Sequence, residues 1–262
     1  MLLQIIDGDC YMELKSFLLF ILIGFLAQMI DGTLGMAYGV SGRTFLKTVA
    51  GLPSALASAV IHAAEVPTTL VSGVSHFKLG NVDKNRFKKL MIPGVIGGVI
   101  GAWFLSGIGD NLEPFIDVYL IVMGIIILRK AMSKENKKVD VDKVVYPLGF
   151  AGGFFDAAGG GGWGPIVTST MVASGNDVKK TIGTVNAAEF LVTLAETTTF
   201  AVLISDIKSY GFMIFGMIIG GVIAAPLAAY FCKKLPHKPL MAAVGILIIV
   251  LNIINFFTWI KG

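Results

Sequence analysis

Apolar stretches of bilayer-crossing length divide this chain from end to end, and they restrict its fold more than any other feature. In the first half they run 14–30, 53–77, 90–108 and 115–128, and in the second 144–158, 181–204, 210–231 and 240–260. Between the first and second stretch of each half lies a Gly-rich piece, 32–50 and 159–174, short for a span and rich in helix breakers. Only 15% of the residues are charged against 55% hydrophobic, and the mean hydropathy is +0.80. That balance excludes a cytosolic enzyme, a nucleic-acid binder and a disordered chain. The pI near 9.0 is no sign of nucleic acid, because the basic residues sit between apolar runs rather than on one patch. The expectation is an all-α polytopic membrane protein. The flank of the first stretch (Asp7, Asp9, Glu13, Lys15) is acidic and no small-x-small site follows, so that stretch is expected to be a retained helix rather than a signal peptide. Cys10 and Cys232 stand alone, without metal spacing, and no disulfide is expected.

The chain is written twice. GFLAQMIDGTLGMAYGV from Gly24 aligns with GFAGGFFDAAGGGGWGP from Gly149, so that Gly24, Asp31, Gly35 and Tyr38 meet Gly149, Asp156, Gly160 and Trp163. Further on, Ala63-Ala64-Glu65 meets Ala187-Ala188-Glu189, Gly97-Gly98 meets Gly220-Gly221, and Gly124-Ile125 meets Gly245-Ile246. The offset drifts steadily downward, as small deletions would make it do. The division expected is a first transmembrane repeat over 14–128, a basic cytoplasmic linker over 129–143 and a second repeat over 144–260.

Each Gly-rich piece is either a re-entrant loop or a short, broken fifth crossing. Basic-loop counting favours the latter. With five crossings per half and the N-terminus outside, loops 78–89, 129–143, 175–180 and 233–238 face inside and hold 16 of the 21 Lys and Arg. The remaining five, Lys15, Arg43, Lys47, Lys208 and Lys261, fall outside. The acidic turn 110–113 and its basic repeat partner 233–238 then lie on opposite sides, as an inverted repeat requires. The expected architecture is about eight full helices plus two Gly-rich segments, in five-plus-five inverted repeats with both termini outside.

Inverted repeats with broken helices carry their sites near the midplane, where ionisable residues are costly and mark a path. The candidates are few: Asp31 and Asp156, Glu65 and Glu189, His62 with its repeat mate Asn186, and Glu196 opposite Ser72. His62, Glu65, Thr69 and Ser72 share one helix face, and Asn186, Glu189, Thr193 and Glu196 repeat the pattern. Helix gluing by Thr and Ser is the plain alternative, and it fits Glu65 and Glu189 poorly. Pro67, inside the first stripe, is expected to bend or break its helix. Gly159, Gly160, Gly161 and Gly162 form a run that exposes amides and suits an anion, or else allows close packing. Asp31 and Asp156 suit helix capping as well as proton carriage. No second His or Cys completes a metal site beside His62, no nucleophile motif or Walker signature appears, and neither cofactor nor catalytic role is expected. The rival reading is a cation or metal-ion carrier or channel with the carboxylates as oxygen ligands.

IDGTLGMAYG and FDAAGGGGWGP, with VNAAEF and IGGVIAAPLA later, resemble the sulfite exporter TauE/SafE family of membrane transporters, over about 14–260. The resemblance implies a secondary carrier, an exporter, for small and often sulfur-containing anions such as sulfite or organosulfonates. Proton coupling, a multi-pass plasma-membrane location, no nucleic-acid partner and a homo-oligomeric state complete the expectation. The first-half turn, TLGMAYG, is diluted in glycine, which places the primary anion site in the second half.

Overall fold

A computed structural model describes residues 2–108, 113–133, 143–174, 176–232, 234 and 236–261, and the side chains of α1 from Leu14 onward. Most of the basic linker, much of the acidic turn 110–113 and positions 233 and 235 of the basic turn lie outside the described residues, as does the side chain of Cys10. The described residues are helical, without a strand. The order is α1 (Leu2–Leu34), α2 (Tyr38–Ala50), α3 (Ser54–Lys78), α4 (Lys84–Ile108) and α5 (Glu113–Met132), then α6 (Val145–Gly159), a π-helical turn Gly164–Thr168 leading into α7 (Ser169–Ala173), α8 (Val178–Leu203), a 3-10 turn Ser205–Tyr210, α9 (Gly211–Phe231) and α10 (His237–Lys261).

The helix ends follow local chemistry. Gly35 (φ +65°) and Ala37 (φ +84°) break the chain between α1 and α2 in the left-handed region, where a Cβ is disfavoured. Gly51 closes α2 in the same conformation, its amide donating to the Lys47 carbonyl and the Leu52 amide to the Leu46 carbonyl. The Asp177 carboxylate opens α8 by accepting from the Lys180 amide at 2.7 Å. Of the bend or break expected at Pro67, no break occurs: α3 runs through it as one helix. The amide missing at Pro67 leaves the Ala63 carbonyl without its i+4 donor, and the hydroxyls of Thr68 and Thr69 donate one turn on, to the Glu65 carbonyl, at 2.9 and 2.7 Å.

Among the described residues, four segments are long and apolar enough to cross a bilayer: Leu14–Leu34, Ser54–Lys78, Lys84–Ile108 and Ile207–Phe231, with Met241–Phe257 a shorter apolar helix. Length and hydropathy of the described residues do not by themselves give the expected eight. At 15 residues α6 spans only about 22 Å, and α8, though long, is dense in Lys, Thr, Asn and Glu.

The glycines that recur in the sequence are those where backbones meet. A Cβ on Gly24 would strike the backbone of Met217, and one on Gly220 that of Ile21, so α1 lies tightly along α9. Gly149 sits against Leu90 and Gly97 against Phe150 in the same way, joining α6 to α4. Small residues thus take over helix association where no hydrophobic effect separates helix from lipid. α3 and α8 cross at the centre, and α5 packs on α10. Large apolar side chains, among them Ile92, Trp103, Phe115 and Val202, are exposed, while the buried set is rich in Ser, Thr, Asn, Asp and Glu. That reverses the soluble pattern. Arg43 and Lys47, counted above as outside loop charges, lie inside the fold on α2. Arg43 is fully buried, and Lys47 pairs with buried Asp117 of α5 at 2.8 Å.

Candidate functional site

The two polar stripes face each other, as their spacing requires. Thr69 and Thr193 meet at 3.4 Å. On one side of that point His62 Nε2 lies 3.0 Å from Glu196 Oε2, and on the other Ser72 Oγ donates to Asn186 Oδ1 at 2.6 Å. The stripe therefore pairs start with end, and α3 and α8 run antiparallel. The repeat mate of His62 is Asn186 and that of Glu196 is Ser72, so the two ends of the crossing are equivalent in position and unlike in chemistry. One end is ionisable and the other is a neutral hydrogen bond.

Around the crossing the fold gathers five carboxylates. Glu65 and Glu196 are 1% and 0% exposed, Asp31 and Asp156 0% and 4%, and Glu189 3%. They act on one another electrostatically: Asp31 on Asp156, Glu65 on Asp156, and Glu189 on Asp31, Glu65 and Glu196. Both oxygens of Asp31 and the Oε2 atoms of Glu65 and Glu189 have no hydrogen-bond partner. Burial of that much like charge requires protons, cations or water as compensation. Gln28 of α1, also fully buried with both amide atoms unpartnered, lies one turn before Asp31 and carried no signal in the stripe pattern.

Asp156 occupies a second role. Its Oδ1 accepts from the amides of Gly162 and Trp163 at 2.7 and 2.9 Å, and its carbonyl accepts from the amide of Gly161 at 2.9 Å. The amides expected to face an anion are thus turned onto the protein's own carboxylate, which caps the helical turn after the run. Its repeat mate Asp31 lies near the Tyr38 amide, outside hydrogen-bond geometry.

The Gly run is also tightly packed. A Cβ on Gly159 would enter the Tyr119 ring, one on Gly160 the Arg43 side chain, and one on Gly161 the Gly39–Val40 backbone. Gly160 and Gly161 have φ of +70° and +149°. Tyr119 Oη donates to the Gly161 carbonyl at 3.2 Å, and Arg43 Nη2 donates to Ser54 Oγ at 2.6 Å. The two Gly-rich pieces, α2 and the 159–164 turn, are therefore interlocked. Sequence reading missed Arg43 and Tyr119 because an Arg in a short apolar piece reads as a topological charge and a lone Tyr as core. Gly161→Ala is expected to lower stability by more than about 2 kcal/mol, since clash and dihedral strain add. A fluorescence melting curve in detergent that matches wild type would show that the turn can relax.

Two open grooves of about 400 and 590 Å³ run along the outside of α4 and α8. They are lined by apolar and Thr side chains such as Val99, Trp103 and Thr198, without an ionisable group. They suit acyl chains rather than a charged solute, and the buried cluster remains the candidate site.

The family model for sulfite exporter TauE/SafE matches residues 20–254. The chain is 41% identical over 247 residues, 91% of its own length and 82% of the relative's, to the "Probable membrane transporter protein YtnM" of Bacillus subtilis (strain 168). No solved structure matches it.

Proposed function

This chain belongs to the sulfite exporter TauE/SafE family, and from that membership we propose that it is a proton-coupled secondary transporter exporting a small anion such as sulfite or an organosulfonate across the plasma membrane. The observation that carries the reading is the buried carboxylate cluster at the α3–α8 crossing, between the two helix breaks. Glu65 and Glu189 are the proton carriers in this proposal, each the repeat mate of the other, each with an unpartnered oxygen. A proton taken up at either offsets the anion's charge during passage. Asp31, Asp156, His62, Asn186 and Glu196 flank the path, Gly159–Gly162 form its turn, and Pro67 is its hinge.

The topology we propose is five crossings per half, inverted, both termini outside, with repeats at 14–128 and 144–260 and the linker at 129–143 inside. The antiparallel crossing of α3 and α8 supports it. A two-fold axis along the membrane normal keeps the direction of equivalent helices, whereas an axis in the membrane plane reverses it. The helix pairings are also unchanged when the halves are exchanged: α1 on α9 answers α6 on α4, and α5 meets α10. The burial of Arg43 and the pairing of Lys47 with Asp117 remove two of the five outside charges and sharpen the inside excess. The outer apolar surface fits the bilayer, and self-association into a homo-oligomer would cover part of it.

The test is solid-supported-membrane current from proteoliposomes, screened over small anions at two pH values. Current with sulfite or an organosulfonate that changes with the pH gradient is expected. Current with divalent cations and with no anion would replace this reading by a cation carrier.

A further inference from the structure

We propose that His62, Asp156 and Glu196 form a site for one divalent metal ion of the zinc class, resident in the protein and separate from the transported solute. The three ligand atoms lie within 4.8 Å of one another in a buried pocket between α3, α6 and α8. His62 Nδ1 is 2.6 Å from the Ser58 carbonyl, which only accepts, so the ring proton of a neutral imidazole sits on Nδ1. Nε2 then presents a lone pair to Glu196 Oε2 at 3.0 Å and Asp156 Oδ2 at 3.5 Å. None of these three atoms has an aligned hydrogen-bond partner. Three electron-rich atoms turned toward one point repel unless an electrophile stands among them.

The chemistry selects which electrophile. A proton on Nε2 would make a ring N–H donor, and neither carboxylate approach has the alignment of such a bond. Hard cations choose all-oxygen shells, whereas one imidazole with two carboxylates suits a borderline transition metal. In tetrahedral coordination with bonds of roughly 2.0–2.2 Å, ligand atoms stand about 3.3–3.6 Å apart, close to the two distances found. A neutral imidazole and two carboxylates carry two negative charges, which one divalent ion cancels.

The surroundings complete the case. A metal-bound His normally gives its other N–H to a carbonyl, and a bound carboxylate is itself hydrogen-bonded. Ser58 supplies the first, and its hydroxyl donates to the Ala157 carbonyl at 3.0 Å, beside Asp156. The Gly162 and Trp163 amides supply the second through Asp156 Oδ1. Gly98 of α4 leaves the space that Glu196 fills, since a Cβ there would lie 2.5 Å from Oε1. Spacing along the chain gave no hint of this site because its ligands come from three helices in both halves. An ion there would tie the start of α3 to the α6 break.

The test is equilibrium binding, independent of transport, so failure of the transport reading leaves it intact. Purified protein is stripped with chelator and titrated with Co²⁺, then with competing Zn²⁺, with metal per chain measured by mass spectrometry. One Co²⁺ per chain is expected, displaced by Zn²⁺, with an X-ray absorption shell of imidazole nitrogen and carboxylate oxygen at roughly 2.0–2.2 Å. His62→Gln and Glu196→Gln are expected to weaken binding more than about 100-fold, while His76→Gln stays within about threefold. Absence of stoichiometric metal in the wild type, or binding unchanged in a folded His62→Gln protein, overturns the site. Should both variants fail to fold, the wild-type spectrum decides alone: a shell with imidazole supports the site and one without it overturns it.

Discussion

Glu65→Gln and Glu189→Gln are each expected to abolish transport driven by a pH gradient while the protein still reaches the membrane folded. Glutamine keeps the size and polar character of glutamate and cannot cycle a proton. Both side chains are buried on facing stripes of α3 and α8, and each keeps an oxygen without a partner. No hydrogen bond of the fold is lost at those oxygens, so stability is expected to hold or rise as a buried charge is removed. The loss in pH-driven current should reach at least about 100-fold, the scale on which a missing proton-transfer group acts. Proteoliposomes matched for protein content and assayed with and without a pH gradient separate the outcomes. Wild-type pH dependence in both variants would make the two carboxylates structural and remove the proton mechanism.

Asp156→Ala is expected to damage the fold where Asp156→Asn does not. The alanine variant strips the Gly162 and Trp163 amides of their acceptor in a buried turn, where each bond to a charged group contributes roughly 1.5–3 kcal/mol. A loss of about 3 kcal/mol corresponds to a fall of roughly 6–12 °C in melting temperature for a chain of this size. Asparagine retains an acceptor oxygen for the two amides and should keep more than half of that stability. Thermal unfolding in detergent, read at the two variants and the wild type, checks the pair. Equal melting of Asp156→Ala and wild type would mean that the turn after the Gly run holds without its cap. Loss of function in a stable Asp156→Asn protein would locate its second role at His62.

Much of this arrangement is legible in the linear chain. The recurring Gly24 and Gly149, Gly97 and Gly220 announce close backbone approach, and they are the points where α1 meets α9 and α6 meets α4. The spacing of His62, Glu65, Thr69 and Ser72 places one polar face on a helix, and the same spacing in the second half supplies its counterpart. Periodicity carries this information because it is local: a residue three or four positions on shares a face whatever the rest of the protein does. The same locality limits it. Pro67 reads as a bend or a break, yet α3 continues as one helix, because packing against α8 and α9 holds it across the one missing bond.

Other features come from long-range packing. Gly159–Gly162 read as exposed amides or as close packing, and folding turns the Gly161 and Gly162 amides onto Asp156 and fills the space around the run with Tyr119, Arg43 and the Gly39–Val40 backbone. Arg43 reads as a loop charge and is buried. His62 has Glu65 as its nearest acidic neighbour in the chain, whereas its partners in space are Glu196 and Asp156. The antiparallel crossing selects those partners by laying the start of α3 against the end of α8, and the α6 break delivers the third. A repeated pattern specifies two equivalent faces, but which side chains meet depends on how those faces dock. Docking here places the unlike residues, His62 with Glu196 and Ser72 with Asn186, at opposite ends of one crossing.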